Sequence, residues 1–116
     1  MDQRIRSADP TDLEVSAEEL LGVPSEVLVV DVREPSEFAT GSVPGARSIP
    51  ARDVRSRLYE IPRHSTVYLL CANGARSLEL VPFMRAAGYD AWSVSGGLWA
   101  LHQHVVARGG SPGREG

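Results

Sequence analysis

Lysine is missing from this chain: all twelve basic residues are arginine. That excludes Schiff-base catalysis, which needs a lysine amine. It also excludes a P-loop nucleotide site, whose lysine reaches the phosphates. Cysteine occurs once, at Cys71, so no disulfide can form within the chain. The N-terminal MDQRIRSADP is polar and lacks the apolar centre of a secretory signal. Together these features favour a reducing, cytoplasmic setting. No apolar run approaches the roughly 20 residues of a membrane span, so no membrane association is expected. Charges are dispersed around a net of -3, without a basic block, so nucleic acid is not an expected partner. His64, His102 and His104 make no ligand-spaced cluster with Cys71, so no metal is expected and each reads as a solvated or packing residue.

What is present suits one α/β domain. The length of 116 residues and the 42% apolar fraction are enough for a single core. Residues 1–12 read as a lead-in, 13–107 as the folded domain and 108–116 as a flexible tail. Ser16 followed by Glu19 is a capping box, which predicts a helix from Ala17 that Gly22, Pro24 and Ser25 end. The continuous apolar run VLVVDV, residues 27–32, predicts a strand buried on both faces. Pro35 suits the first turn of a short helix reaching Ala39, and Gly41, Pro44 and Gly45 force a turn. Val54, Leu58 and Ile61 form a helical stripe, stopped by Pro62, with Arg52, Arg55 and Arg57 on a solvated face. STVYLLC is a second buried strand, SLELVPFMRAAG a helix kinked at Pro82 and ended by Gly88, and DAWSV a third strand. Gly96 and Gly97 mark a turn before a last helix, LWALHQHVVAR. Alternating strands and helices predict a mostly parallel sheet covered on both faces.

The stretch CANGARS, residues 71–77, places the lone thiol at a strand-to-helix turn. A free cysteine is by default a packing residue. In parallel sheets, however, ligands bind beyond the carboxyl ends of the strands, where both Cys71 and Asp31 fall. Gly74 permits positive φ, and the small Ala72 and Ala75 leave backbone amides reachable. The following helix aims its positive end at the loop, so the N–H groups can form an anion-binding nest. No histidine is evident as a base, so dipole and amides are the expected cause of a lowered thiol pKa. Arg76 is expected to brace the loop by pairing with Asp31 or Glu34. Asp31 reads as structural; Arg33 either lines the site mouth or solvates a turn.

Three segments in order resemble the rhodanese superfamily of sulfurtransferases. VVDVREPSEFATGSVPGARSIP is similar to its Asp-x-Arg turn and Gly-x-x-Pro-Gly-Ala segment, and VYLLCANGARS to its Cys-x-x-Gly-x-Arg-Ser loop. AAGYDAWSVSGGLWAL is similar to its last strand, Gly-Gly pair and Trp-containing helix. The resemblance covers about residues 13–105. It implies a three-layer sandwich, a mostly parallel sheet with helices on both faces. It implies that Cys71 carries sulfur as a persulfide while Ala72, Asn73, Gly74, Ala75, Arg76 and Ser77 hold the anion, with Asp31 and Arg33 in support. It implies a small donor, thiosulfate or a persulfide, a thiol or sulfur-carrier protein as acceptor, and no metal or organic cofactor. Two departures stand out. Ser42 replaces a common histidine, and Ala72 and Asn73 are uncharged where good users of thiosulfate often carry basic side chains. Related phosphatases separate cysteine and arginine by one residue more than the four found here. A persulfide sensor or binding module without turnover is the other alternative. Trp92 and Trp99 read as core or rim packing.

Overall fold

The computed structural model describes residues 12–22 and 26–107. The expected tail, and all of the lead-in except Asp12, lie outside these residues, as do Pro24 and Ser25. The elements run β1 Glu14–Val15, α1 Ala17–Leu21, β2 Leu28–Asp31, α2 Pro35–Phe38, β3 Arg47–Ser48, β4 Thr66–Leu70, α3 Ala75–Ala86, β5 Asp90–Val94 and α4 Gly97–Ala107. The sheet order is β1-β5-β4-β2-β3, and every pairing is parallel.

Local chemistry explains the element boundaries. At α1 the Ser16 Oγ accepts the Glu19 N–H at 3.0 Å, and the Glu19 carboxylate accepts the Ser16 N–H at 2.9 Å. This satisfies two donors that a helix start leaves unpaired. Pro35 opens α2, where its missing N–H costs nothing. Gly88, at φ +98°, follows the end of α3. Pro82 sits inside α3 without ending it.

The strands are buried on both faces because β2 and β4 alternate between two cores. Val30, Val67 and Leu69 pack with Val54, Ile61, Leu80, Val81 and Met84 under α3. Val29 and Leu70 pack with Val15, Leu20, Trp92 and Val94, against Leu98 and Leu101 of α4. The result is the three-layer α/β sandwich. Helices cover both faces, and the carboxyl ends of β2, β4 and β5 share one edge.

One expected helix is not there. The segment instead holds two 3-10 turns, Ala51–Asp53 and Leu58–Glu60, joined by further turns; Leu58 begins the second, and Val54 and Ile61 each follow one. Arg57 leaves helical geometry at φ -116°, ψ 20°. The carbonyls of Leu58 and Ile61 take tertiary partners: the Tyr89 hydroxyl lies 3.0 Å from one and 2.9 Å from the other. Burial follows the stripe all the same, since Val54 and Ile61 are core residues. Its arginines are not simply solvated: Arg52 pairs with Glu34, Arg55 lies over the Phe83 ring at 4.2 Å, and Arg57 pairs with Glu60 at 2.7 Å.

Candidate active site at Cys71

β4 ends at Leu70 and delivers Cys71 to the shared carboxyl edge of the sheet. The chain then turns at Gly74, φ +94°, and enters α3 one residue later. A side chain at Gly74 would be strained by that φ, and a Cβ would meet the Gly96 nitrogen at 3.0 Å. The tight turn folds the loop around the sulfur. Cys71 Sγ accepts the Gly74 N–H at 3.1 Å and lies 3.4 Å from the Ser77 hydroxyl. Ser77 is fully buried on the first turn of α3. Asn73 Oδ1 accepts the Ala75 N–H at 3.0 Å, which fixes the loop from its outer side.

The carbonyls of the loop turn the other way. Leu98 N–H donates to the Cys71 carbonyl at 2.8 Å and Trp99 N–H to that of Ala72 at 3.0 Å. The start of α4 thus absorbs negative carbonyl ends that would repel an anion. This contact needs Gly97, where a Cβ would stand 2.2 Å from the Cys71 oxygen. The Gly-Gly pair therefore supports the loop as well as turning the chain.

These contacts set the thiol's acidity. Burial pushes the Cys71 pKa up, since it disfavours a charged sulfur. The Ser77 hydroxyl and the backbone N–H groups of Ser77, Gly74 and Asn73 outweigh burial and hold the pKa below its ordinary value. The loop thus sets the Gly74 N–H and the Ser77 hydroxyl against the sulfur. Ala72 and Asn73 are exposed at its rim.

Asp31 and Arg33 form a separate, buried bracket. Arg33 Nε and Nη2 donate to the Asp31 carboxylate at 3.0 and 2.9 Å, and Arg33 N–H donates to the same group at 3.0 Å. Ser42 Oγ adds a bond at 2.6 Å, and Arg33 Nη2 also reaches the Gly41 carbonyl at 2.7 Å. Burial pushes the Asp31 carboxyl up, but Arg33 and Ser42 hold it below its ordinary value. Arg33 is raised chiefly by its bond to Asp31, with a small contribution from the negative charge of Cys71. Arg33 is therefore neither a solvated turn residue nor a free side chain at the mouth. The expected pairing of Arg76 is corrected: Asp31 is held by Arg33 and Glu34 by Arg52. Arg76 instead approaches Glu37 of α2 at 3.8 Å, a half-exposed pair.

Sequence reasoning missed three contributors. Ser93 on β5 is fully buried, with its Oγ 2.7 Å from that of Ser77. A serine in the middle of the apolar run DAWSV was the available signal. Ser42, set aside as a departure, bonds Asp31. The N–H groups of Leu98 and Trp99 were invisible because backbone donors carry no residue signature. Trp92 is core, with Nε1 donating to Asp90 at 2.9 Å, and Trp99 is exposed beside the loop. Among the described residues no group of three His, Cys, Asp or Glu side chains could hold a metal ion, and no helix is long and apolar enough to cross a membrane.

Comparison with known proteins agrees with this architecture. The family model described as Rhodanese-like domain matches residues 15–104. A sulfurtransferase of Allochromatium vinosum is 36% identical over 80 residues, 66% of this chain and 75% of that one. A tRNA sulfurtransferase of Desulfurococcus amylolyticus is 33% identical over 71% of this chain, which corresponds to only 16% of that longer protein. The crystal structure of a rhodanese-related protein from Thermoplasma volcanium superposes with a TM-score of 0.75 at 28% identity. That superposition covers 79% of this chain and 92% of the other. With its fold and its sequence in agreement, the chain belongs to the rhodanese-like domain family.

Proposed function

We propose that the protein is a sulfurtransferase that carries sulfur as a persulfide on Cys71. One observation supports this most directly. The Cys71 sulfur faces N–H and O–H donors, while the carbonyls of Cys71 and Ala72 are drawn back to α4. Such a cradle stabilises a thiolate and, one bond further out, a terminal persulfide anion. In the first half-reaction the thiolate attacks the outer sulfur of a donor. A bond forms between the two sulfurs, and the donor's own bond to that sulfur breaks, its electron pair leaving with the rest of the donor. In the second, a thiol or another nucleophile attacks the terminal sulfur, and the electron pair of the broken bond returns to Cys71 as thiolate. Two covalent half-reactions give ping-pong kinetics. Neither half needs a cofactor.

The rim bears on the donor. Ala72 and Asn73 are uncharged, and Arg76 leans toward Glu37 rather than over the sulfur. A dianion such as thiosulfate meets little fixed positive charge there. A persulfide on a small thiol or a carrier protein, with a single negative charge, fits better. The position of Arg76 also argues against a phosphatase, which would need that guanidinium on the phosphate. The sulfurtransferase names of two relatives support the general chemistry.

Steady-state transfer tests the reading. With cyanide as acceptor, we expect thiocyanate from both thiosulfate and a glutathione persulfide donor, with the higher kcat/KM for the persulfide. Cys71→Ser abolishes both. Loading without multiple turnovers would assign a sensor instead. Cys71-dependent hydrolysis of an aryl phosphate, with no thiocyanate formed, would assign a phosphatase.

A further inference from the structure

We propose that Ser93 is a positioning residue: its hydroxyl donates to Ser77 and so commits the Ser77 proton to the Cys71 sulfur when that sulfur is anionic. The inference rests on the Cys71 reading for its catalytic meaning, but the hydrogen bonds it concerns belong to the thiol itself.

Proton counting fixes the direction of the bond between the two hydroxyls. A serine hydroxyl has one hydrogen and two lone pairs. Ser77 Oγ lies near three groups: the Gly74 carbonyl at 3.2 Å, the Cys71 sulfur at 3.4 Å and the Ser93 Oγ at 2.7 Å. The carbonyl only accepts, and so does a thiolate. Ser93 is fully buried, and among the described residues its Oγ has the Ser77 Oγ as its hydrogen-bond partner. If Ser77 donated to Ser93, the Ser93 proton would be buried with no acceptor, which is costly. Ser93 therefore donates, filling a lone pair of Ser77 and leaving the Ser77 proton for the sulfur or for Gly74. When Cys71 loses its proton, the Ser77 hydroxyl rotates from the carbonyl to the charged sulfur. Donation from Ser93 also polarises that hydroxyl, which strengthens the second bond. β5 fixes the donor: Ser93 sits opposite Leu69 of β4, and its N–H is bonded to the Leu13 carbonyl at 2.9 Å.

The test reads the pH midpoint of Cys71 alkylation by iodoacetamide in the full chain. Ser93→Ala should raise the midpoint by about half a pH unit, equivalent to about threefold less thiolate below both midpoints. Ser93→Thr should keep the wild-type midpoint. In a Ser77→Ala background, Ser93→Ala should add nothing. Thr and Val have the same shape, so Ser93→Thr against Ser93→Val carries the same comparison should the alanine variant fail to fold. A midpoint that stays put or falls in Ser93→Ala overturns the proposal, and a fall would mean that Ser93 takes the Ser77 proton. A full shift persisting without Ser77 overturns it too. Absence of sulfur loading with the shift intact would instead count against the sulfurtransferase reading alone.

Discussion

The Cys71 thiol is held below its ordinary pKa because the donors around it outweigh the penalty of its burial. Ser77 supplies both a hydroxyl and an N–H to that balance, and burial works against it. Ser77→Ala should therefore raise the alkylation midpoint by about one pH unit, the order expected for one lost hydrogen bond to a charged group. Cys71→Ser provides the zero-reactivity control. Asp31 makes a second prediction at this scale. Its carboxyl is held below the ordinary range, so the stability it contributes is complete above the unfolded-state value. That stability is lost as pH falls through the lower folded-state value. Asp31→Asn leaves the Arg33 guanidinium buried without its counter-charge. Urea denaturation at neutral pH should show a loss of about 3–5 kcal/mol. The stability of the variant should also respond less to acid than that of the wild type. A variant equal to wild type would remove the structural role given to Asp31.

At the scale of elements, the start of α4 matters as much as the start of α3. The N–H groups of Leu98 and Trp99 hold the loop carbonyls, and Gly97 makes the approach possible. Gly97→Ala adds a Cβ into the Cys71 carbonyl at a residue with φ +57°. We expect a raised alkylation midpoint together with a stability loss of at least about 1–2 kcal/mol from the left-handed backbone alone. Unchanged reactivity and thermal midpoint would show that α4 does not shape the loop. The same elements show what was legible in the sequence. VLVV and TVYLL announced buried parallel strands because a parallel strand needs apolar residues on both faces. CANGARS showed the strand-to-helix turn that holds the lone thiol, since a glycine before a helix start leaves few other geometries. β1 and β3 were not legible: each is two residues long, too short for any period, and β3 is Arg47–Ser48. The 51–61 segment carried a true helical stripe but a false helix: Arg57 leaves helical geometry, and the segment folds as two 3-10 turns instead. The partner of Arg76 was misjudged for a related reason. Which acid an arginine reaches depends on how α2 and β2 are placed, and spacing does not encode that.

For the molecule as a whole, two cores hold a sheet whose carboxyl edge carries Cys71, and holding the sheet and shaping the loop should be separable. Met84 is fully buried under α3, on its last turn, far along the helix from the loop. Met84→Ala should cost about 2–5 kcal/mol of stability. It should leave the Cys71 alkylation midpoint in place while the protein remains folded. A large shift in that midpoint would mean that loop geometry depends on core packing throughout, not on the local bonds described.

Intact-mass measurement of the protein after incubation with a persulfide donor, and again after cyanide, tests the central claim most directly. The wild type should gain a single sulfur and lose it to cyanide as thiocyanate, and Cys71→Ser should gain none. A wild-type protein that takes up no sulfur from persulfide, thiosulfate or mercaptopyruvate, or a Cys71→Ser protein that does, would contradict it.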